Sequence, residues 1–355
     1  MPDARVQAAI ANWAPRFTSQ GVDYPDFIRS TQSLERWDEW LDSWSATGDT
    51  HAELAREAEA HNRSVTAGEA WVRAALCYHF AKFVWMVDMD KYRATADKAI
   101  SSLYAAHKHL DPTAERLEIP ADGMTMAGNL RRPAGADRPP LVILLPGLDS
   151  TKEEFFNWEN VYLKRGLATL SLDGPGQGET GYTSHIRPDY EVAVSAALDR
   201  LEGRSDLDLA RVGLVGVSMG GYYAPRAAAF ESRIKAVAPI GGPYNFGECW
   251  DQLPPITRET FVHHSGAANE EEGRQKALQL GLLGVAERVT QPMLVVFGKL
   301  DRLIPWQQAE RLAADAPNAT LVMYPDGNHV CNNIPYKYRP LVGDWMQEQL
   351  AAAQT

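Results

Sequence analysis

A chain of 355 residues, 45% of them hydrophobic, is long enough for one large α/β domain with an appendage and too apolar for a disordered or fibrous protein. Its formal charge of −11, with Lys and Arg scattered rather than clustered, repels phosphate backbones and anionic headgroups and argues against nucleic-acid and membrane partners. The three cysteines, Cys77, Cys249 and Cys331, lie far apart with no CxxC pair, which excludes a disulfide framework and a zinc site.

Residues 1–112 read as helix throughout and form the first expected domain. The N-terminus has no basic region followed by an apolar stretch, and the longest aliphatic run, Leu141 to Leu145, is far too short to span a bilayer; the expected location is cytoplasmic. Trp37, Trp40 and Trp44 recur at i, i+3 and i+7, the spacing of one helical face. A further helix is expected to start at Thr66, where Thr66-x-x-Glu69 has capping-box form. Six of the ten tryptophans fall here, enough for an aromatic bundle core, with some rings free to roof a pocket for an aromatic ligand.

Residues 113–355 change period. A hairpin over 115–131 is expected at a sheet edge. Short apolar runs follow at 140–145, 168–172, 211–216, 234–239, 292–297 and 320–324, bounded by Gly, Pro and Asp as buried parallel strands are. Helical stretches near 152–165, 187–203, 219–231, 306–314 and 337–352 separate them, so the fold class is α/β with a mostly parallel, doubly wound sheet. The gap between the runs at 234–239 and 292–297 exceeds one crossover, and residues 244–288 read as an inserted helical cap over the carboxyl edge of the sheet, where ligands bind in such folds.

The chemistry is concentrated in three places. Gly216-Val217-Ser218-Met219-Gly220 has G-x-S-x-G form directly after a strand and directly before a helix, the setting in which a tight turn exposes a serine Oγ above a helix N-terminus. A serine hydroxyl needs a positioned base, and this fold orders the partners as Ser, acid, His. Asp301 follows the strand ending at Gly298, and His329 follows the next; both lie past the carboxyl ends of their strands and can converge on Ser218. The other eight histidines lack such a setting, and Asp326, the rival acid, sits so close to His329 that it is expected to shape the turn. For an oxyanion hole the candidates are the amide of Met219 and that of Leu148, in Pro146-Gly147-Leu148-Asp149, each such donor being worth ~3 kcal/mol in the transition state. Asp173-Gly174-Pro175-Gly176-Gln177-Gly178-Glu179 lacks dinucleotide-binding spacing and is expected to line the site as a rigid loop; no cofactor and no metal are expected.

Pro146–Glu154, Asp173–Glu179 and the Ser218 elbow together resemble the branch of α/β-hydrolases that contains the dihydroxypseudooxynicotine hydrolases and the fungal polyketide-shortening hydrolases, over nearly the whole chain. The resemblance implies an α/β-hydrolase fold with an N-terminal helical domain, and cleavage of a carbon–carbon bond beside a ketone in an aromatic or polyketide-like β-diketone. It also implies an acyl-enzyme on Ser218, a cap acid at Glu248 that helps the carbanion leave, and Tyr244, Asn245 and Trp250 along the substrate. A homodimer is compatible with it. A carboxylesterase, thioesterase or lactonase, and an acyltransferase or cyclase, would use the same triad and differ in leaving group or acceptor.

Overall fold

The computed structural model describes residues 3–353. They form two compact units. The first comprises the chain up to Ala114 together with Glu153–Asn157 and Pro254–Thr260. Its helices are α1 (Ala4–Gln20), α2 (Tyr24–Thr31), α3 (Trp40–Ala60), α4 (Ser64–Ala81) and α5 (Met89–Leu110). Asp3 and Asp88 accept backbone amide bonds at the starts of α1 and α5, satisfying donors that the first helical turn leaves orphaned.

An aromatic cluster fills this unit. Phe17 meets Phe80 at a ring separation of 4.3 Å and meets Trp44 and Phe83 edge-on, both at 5.4 Å. Trp40 and Trp44 are fully buried, so they are core. Trp37 is buried too, but it sits in a 3-10 turn ahead of α3 rather than on that helix. The capping box expected at Thr66 does not form. Asn62 turns the chain in the left-handed region, with φ of 56°, and α4 opens two residues before Thr66, at Ser64.

The second unit carries one sheet of eight strands among the described residues, in the order β1-β2-β4-β3-β5-β6-β7-β8. After α5 the elements in chain order are β1 (Glu115–Ala121), β2 (Met124–Arg131), β3 (Pro140–Leu145), α6 (Phe156–Leu163), β4 (Ala168–Asp173), α7 (Glu191–Leu201), β5 (Asp208–Val217), α8 (Gly220–Ala228) and β6 (Ile234–Ile240). Then come α9 (Pro255–His264), α10 (Glu270–Leu278), β7 (Met293–Gly298), α11 (Gln307–Asp315), β8 (Ala319–Tyr324) and α12 (Pro335–Ala352). The hairpin β1–β2 turns at Asp122-Gly123, both at positive φ as a two-residue type I′ loop requires, and β2 pairs antiparallel with β4. All later pairings are parallel.

β4 and β7 are buried along their whole length, which explains their unbroken apolar runs; β8, at the edge, is only partly covered. Each buried Leu, Ile or Val contributes roughly 1.5–3 kcal/mol. The segment between β6 and β7 is helical, as its length required, and holds α9, α10 and two 3-10 turns. No described helix is long and apolar enough to cross a membrane.

Candidate active site

β5 ends at Val217 and α8 opens at Gly220, so Ser218 and Met219 must make the whole strand-to-helix turn. Ser218 is held at φ of 55°, a left-handed conformation that costs a non-glycine residue on the order of 1–3 kcal/mol. The turn is possible because its flanks lack side chains. A Cβ on Gly216 would lie 1.8 Å from the Gly220 carbonyl oxygen, and one on Gly220 would lie 2.1 Å from that of Leu145. The Ser218 amide is anchored on the Ile240 carbonyl of β6 at 2.9 Å.

The partners arrive from the adjoining parallel strands β7 and β8, whose carboxyl ends lie side by side. His329 Nε2 is 2.9 Å from Ser218 Oγ, and its Nδ1 is 2.7 Å from Asp301 Oδ2. An ionised carboxylate can only accept, so Nδ1 carries the proton and Nε2 accepts from the serine hydroxyl. The Asp301 carboxylate is fully buried, and its other oxygen accepts the amides of Leu303 at 2.8 Å and Ile304 at 3.0 Å. This fixes the carboxylate before it meets the imidazole. After His329 the chain passes through Val330 and Cys331 at φ of 56° and 54°, which for a β-branched valine is a steric outlier.

Two rivals are disposed of by their surroundings. Burial, with Asp301 and Asp326 adding, pushes the Cys331 thiol up to about 12, so it stays protonated and weakly nucleophilic. Asp326 is half exposed and bonded to Lys337 Nζ at 2.6 Å, which holds its carboxyl below the usual range.

The loop after β3 abuts Ser218: a Cβ on Gly147 would lie 3.0 Å from Ser218 Cβ and 3.4 Å from its Oγ. Met219 is the N-cap residue of α8, at the positive end of the helix dipole. A serine, a hydrogen-bonded imidazole and a buried carboxylate thus meet beside a helix N-terminus and a tight loop, a set suited to acyl transfer. Among the described residues no three or more His, Cys, Asp or Glu gather as metal ligands would.

The model of the esterase FrsA-like family matches residues 34–351. The chain belongs to that family. This FrsA-like chain is 33% identical over 347 residues to the 2,6-dihydropseudooxynicotine hydrolase of Paenarthrobacter nicotinovorans, covering 97% of itself and 93% of that protein. The crystal structure of the 2,6-dihydroxy-pseudo-oxynicotine hydrolase matches it with a TM-score of 0.88 at 32% identity, over 96% of each chain. It is also 30% identical over 298 residues to the alpha/beta hydrolase xenA of Xenoacremonium sinensis, covering 76% and 70% of the two chains. It is therefore a hydrolytic enzyme of the α/β-hydrolase fold.

The cap residues implied by resemblance have other partners in this FrsA-like hydrolase. Glu248 has a 44% exposed side chain, and its carboxylate pairs with Arg311 at 3.1 Å and Gln308 at 3.2 Å, on α11. Asn245 accepts the Glu248 amide and donates to the Leu278 carbonyl, both at 3.2 Å. Tyr244 donates to Asp315 at 2.6 Å under the Arg311 guanidinium, and Trp250 packs edge-on against Phe261 at 5.6 Å. The cause is local. The side chain of Asn245 holds the Glu248 amide at the start of the 3-10 turn over Gly247–Gln252, and that turn brings Glu248 to the cation on α11.

Reading by residue type missed the role of the Asp173–Glu179 run. Much of it is buried: the fully buried Asp173 accepts the Lys152 amide at 2.8 Å and its Nζ at 2.9 Å. Lys152 Nζ also donates to Glu179 at 2.7 Å, and Arg116 grips Glu179 with two bonds of 2.6 Å. Burial would raise the Glu179 carboxyl, but Arg116 and Lys152 outweigh it and hold it at about 2. The available signal was that two motifs, after β3 and after β4, both carry charges inside apolar surroundings.

Proposed function

We propose that this enzyme hydrolyses a carbon–carbon bond beside a ketone in an aromatic or polyketide-like β-diketone, through an acyl-enzyme on Ser218. The observation that carries the reading is the chain of bonds from Ser218 Oγ through His329 to the buried Asp301, at 2.9 and 2.7 Å.

Ser218 Oγ adds to the carbonyl carbon as His329 Nε2 takes its proton, and Asp301 stabilises the imidazolium. The tetrahedral oxyanion lies against the Leu148 and Met219 amides. Its collapse breaks the carbon–carbon bond, the electron pair leaves on a carbon stabilised as an enolate, and that carbon takes the proton from His329. Water, deprotonated by His329, then releases the acyl group as a carboxylic acid. The balance is one diketone and one water to one acid and one ketone. With Glu248 bonded to Arg311, His329 is the group in place to protonate the leaving carbon.

Ester cleavage on the same triad is the second reading, favoured by the family description. Benzoylacetone separates the two. Its cleavage to acetophenone and acetate, lost in Ser218→Ala along with fluorophosphonate labelling, supports the first. Turnover of p-nitrophenyl acetate with no aryl β-diketone cleaved selects the second, and labelling that persists in Ser218→Ala discards both.

A further inference from the structure

The loop that supplies the Leu148 amide has no regular structure to aim it, and its neighbours show what does. Gln177, 2% exposed, donates from Nε2 to the carbonyl oxygens of Pro146 at 2.8 Å and Gly147 at 3.1 Å. The peptide joining Gly147 to Leu148 is planar and trans, so its C=O and N–H point in opposite directions. Holding the Gly147 carbonyl toward Gln177 therefore throws the Leu148 N–H to the other side. The Gly147 N–H follows the same logic from the Pro146 carbonyl. The turn itself lies in contact with Ser218, with a Gly147 Cβ position 3.4 Å from Oγ.

The orientation of the Gln177 carboxamide is set in turn. Its Oε1 accepts the Gly174 amide at 2.9 Å and the Tyr190 hydroxyl at 2.7 Å. Two donors on the oxygen leave the nitrogen facing the two carbonyls, and all four hydrogen-bonding positions of the side chain are used. Tyr190 is fully buried, and burial holds its hydroxyl well above the usual range, so it remains a donor. Its ring stacks on Tyr223 of α8 at 4.0 Å and 12°. That helix carries Met219 at its start.

We propose that Gln177 is a positioning residue for the oxyanion hole, its carboxamide fixing the Gly147–Leu148 peptide and Tyr190 fixing the carboxamide. The proposal rests on the acyl-transfer reading of Ser218 and assigns a purpose to the Gly-Gln-Gly centre of the Asp173–Glu179 run. A misaimed donor weakens binding of the transition state and leaves substrate binding intact, so the loss falls on kcat.

The test uses the full-length enzyme with p-nitrophenyl acetate, and phenyl trifluoromethyl ketone as the probe whose Ser218 adduct places an oxyanion in the hole. Gln177→Leu is expected to lower kcat roughly 100-fold with KM within about twofold, and to weaken the ketone by a similar factor. Gln177→Glu keeps the size but loses both donors, and does not rescue. Tyr190→Phe, which removes one hydroxyl, lowers kcat about fivefold. Activity in Gln177→Leu within twofold of wild type, with Ser218→Ala dead, overturns this inference and leaves the triad standing. Activity surviving in Ser218→Ala overturns the triad itself. If Gln177→Leu does not fold, Tyr190→Phe decides: unchanged kcat and unchanged ketone affinity overturn the inference.

Discussion

Each unit of this enzyme buries a carboxylate against a histidine, and the two pairs have different surroundings. In the helical unit Glu154 accepts from His79 Nε2 at 3.0 Å; in the sheet unit Asp301 accepts from His329 Nδ1 at 2.7 Å. Glu154 is also claimed by Arg16, through Nε at 2.7 Å and Nη2 at 2.6 Å, and by Gln20 at 2.9 Å. Burial pushes its carboxyl up, but Arg16 outweighs that and holds it well below the ordinary range. Burial first and Lys82 second push the His79 imidazole down, so it stays neutral. Asp301 instead has its second oxygen on two neutral amides, and the far nitrogen of its histidine faces a strained serine. On the proposed mechanism, the second pair acts in catalysis because its imidazole lies between a carboxylate with no arginine on it and a serine hydroxyl. With an arginine on its carboxylate, the first pair serves as a structural brace.

Four substitutions or titrations sharpen that contrast, in descending size. Asp301→Asn should cut kcat by roughly 10⁴-fold by favouring the wrong imidazole tautomer, with little change in fold; steady-state kinetics and circular dichroism check both halves. Glu154→Gln, its counterpart in the helical unit, should instead lower unfolding stability by about 3 kcal/mol, read as a shift of the urea midpoint followed by tryptophan fluorescence. An unmoved midpoint would remove Glu154 from the brace.

The third concerns acid. Glu179, lowered from 4.5 to about 2, gives its full stabilisation above pH 4.5 and loses it as pH falls through that window. Glu179→Gln should therefore flatten the decline in stability between those values, and an unchanged slope would refute its ionised role. The smallest effect is at Glu248: its exposed pair with Arg311 is worth under about 1 kcal/mol, and Glu248→Gln should leave benzoylacetone and p-nitrophenyl acetate turnover nearly equal to wild type. A selective loss on the diketone would return it to the reaction.

Much of this was legible before any coordinates. Ser218, Asp301 and His329 stood out because a parallel sheet delivers whatever follows its strands to one edge, and strand runs can be read from apolar periodicity. Helix boundaries were less secure: a left-handed Asn62, invisible to pattern, moved the start of α4 ahead of the Thr66 box. The assignments at Glu248, Tyr244, Asn245 and Trp250 drew on resemblance, and the contacts these residues make, with Arg311, Asp315, Leu278 and Phe261, are set by the packing of α11, α10 and α9.

The amino-acid order alone determined the alternation of buried strands and helices, and with it the chain positions of Ser218, Asp301 and His329 just past the ends of their strands. Such features depend on neighbours a few residues apart. Only the tertiary structure decided that Gln177 grips the Pro146 and Gly147 carbonyls, and that Arg16 rather than a serine attends the Glu154–His79 pair. Those bonds join residues 30 or more positions apart, and burial decides their strength, because a hydrogen bond or charge pair sealed from water has no solvent to replace a lost partner.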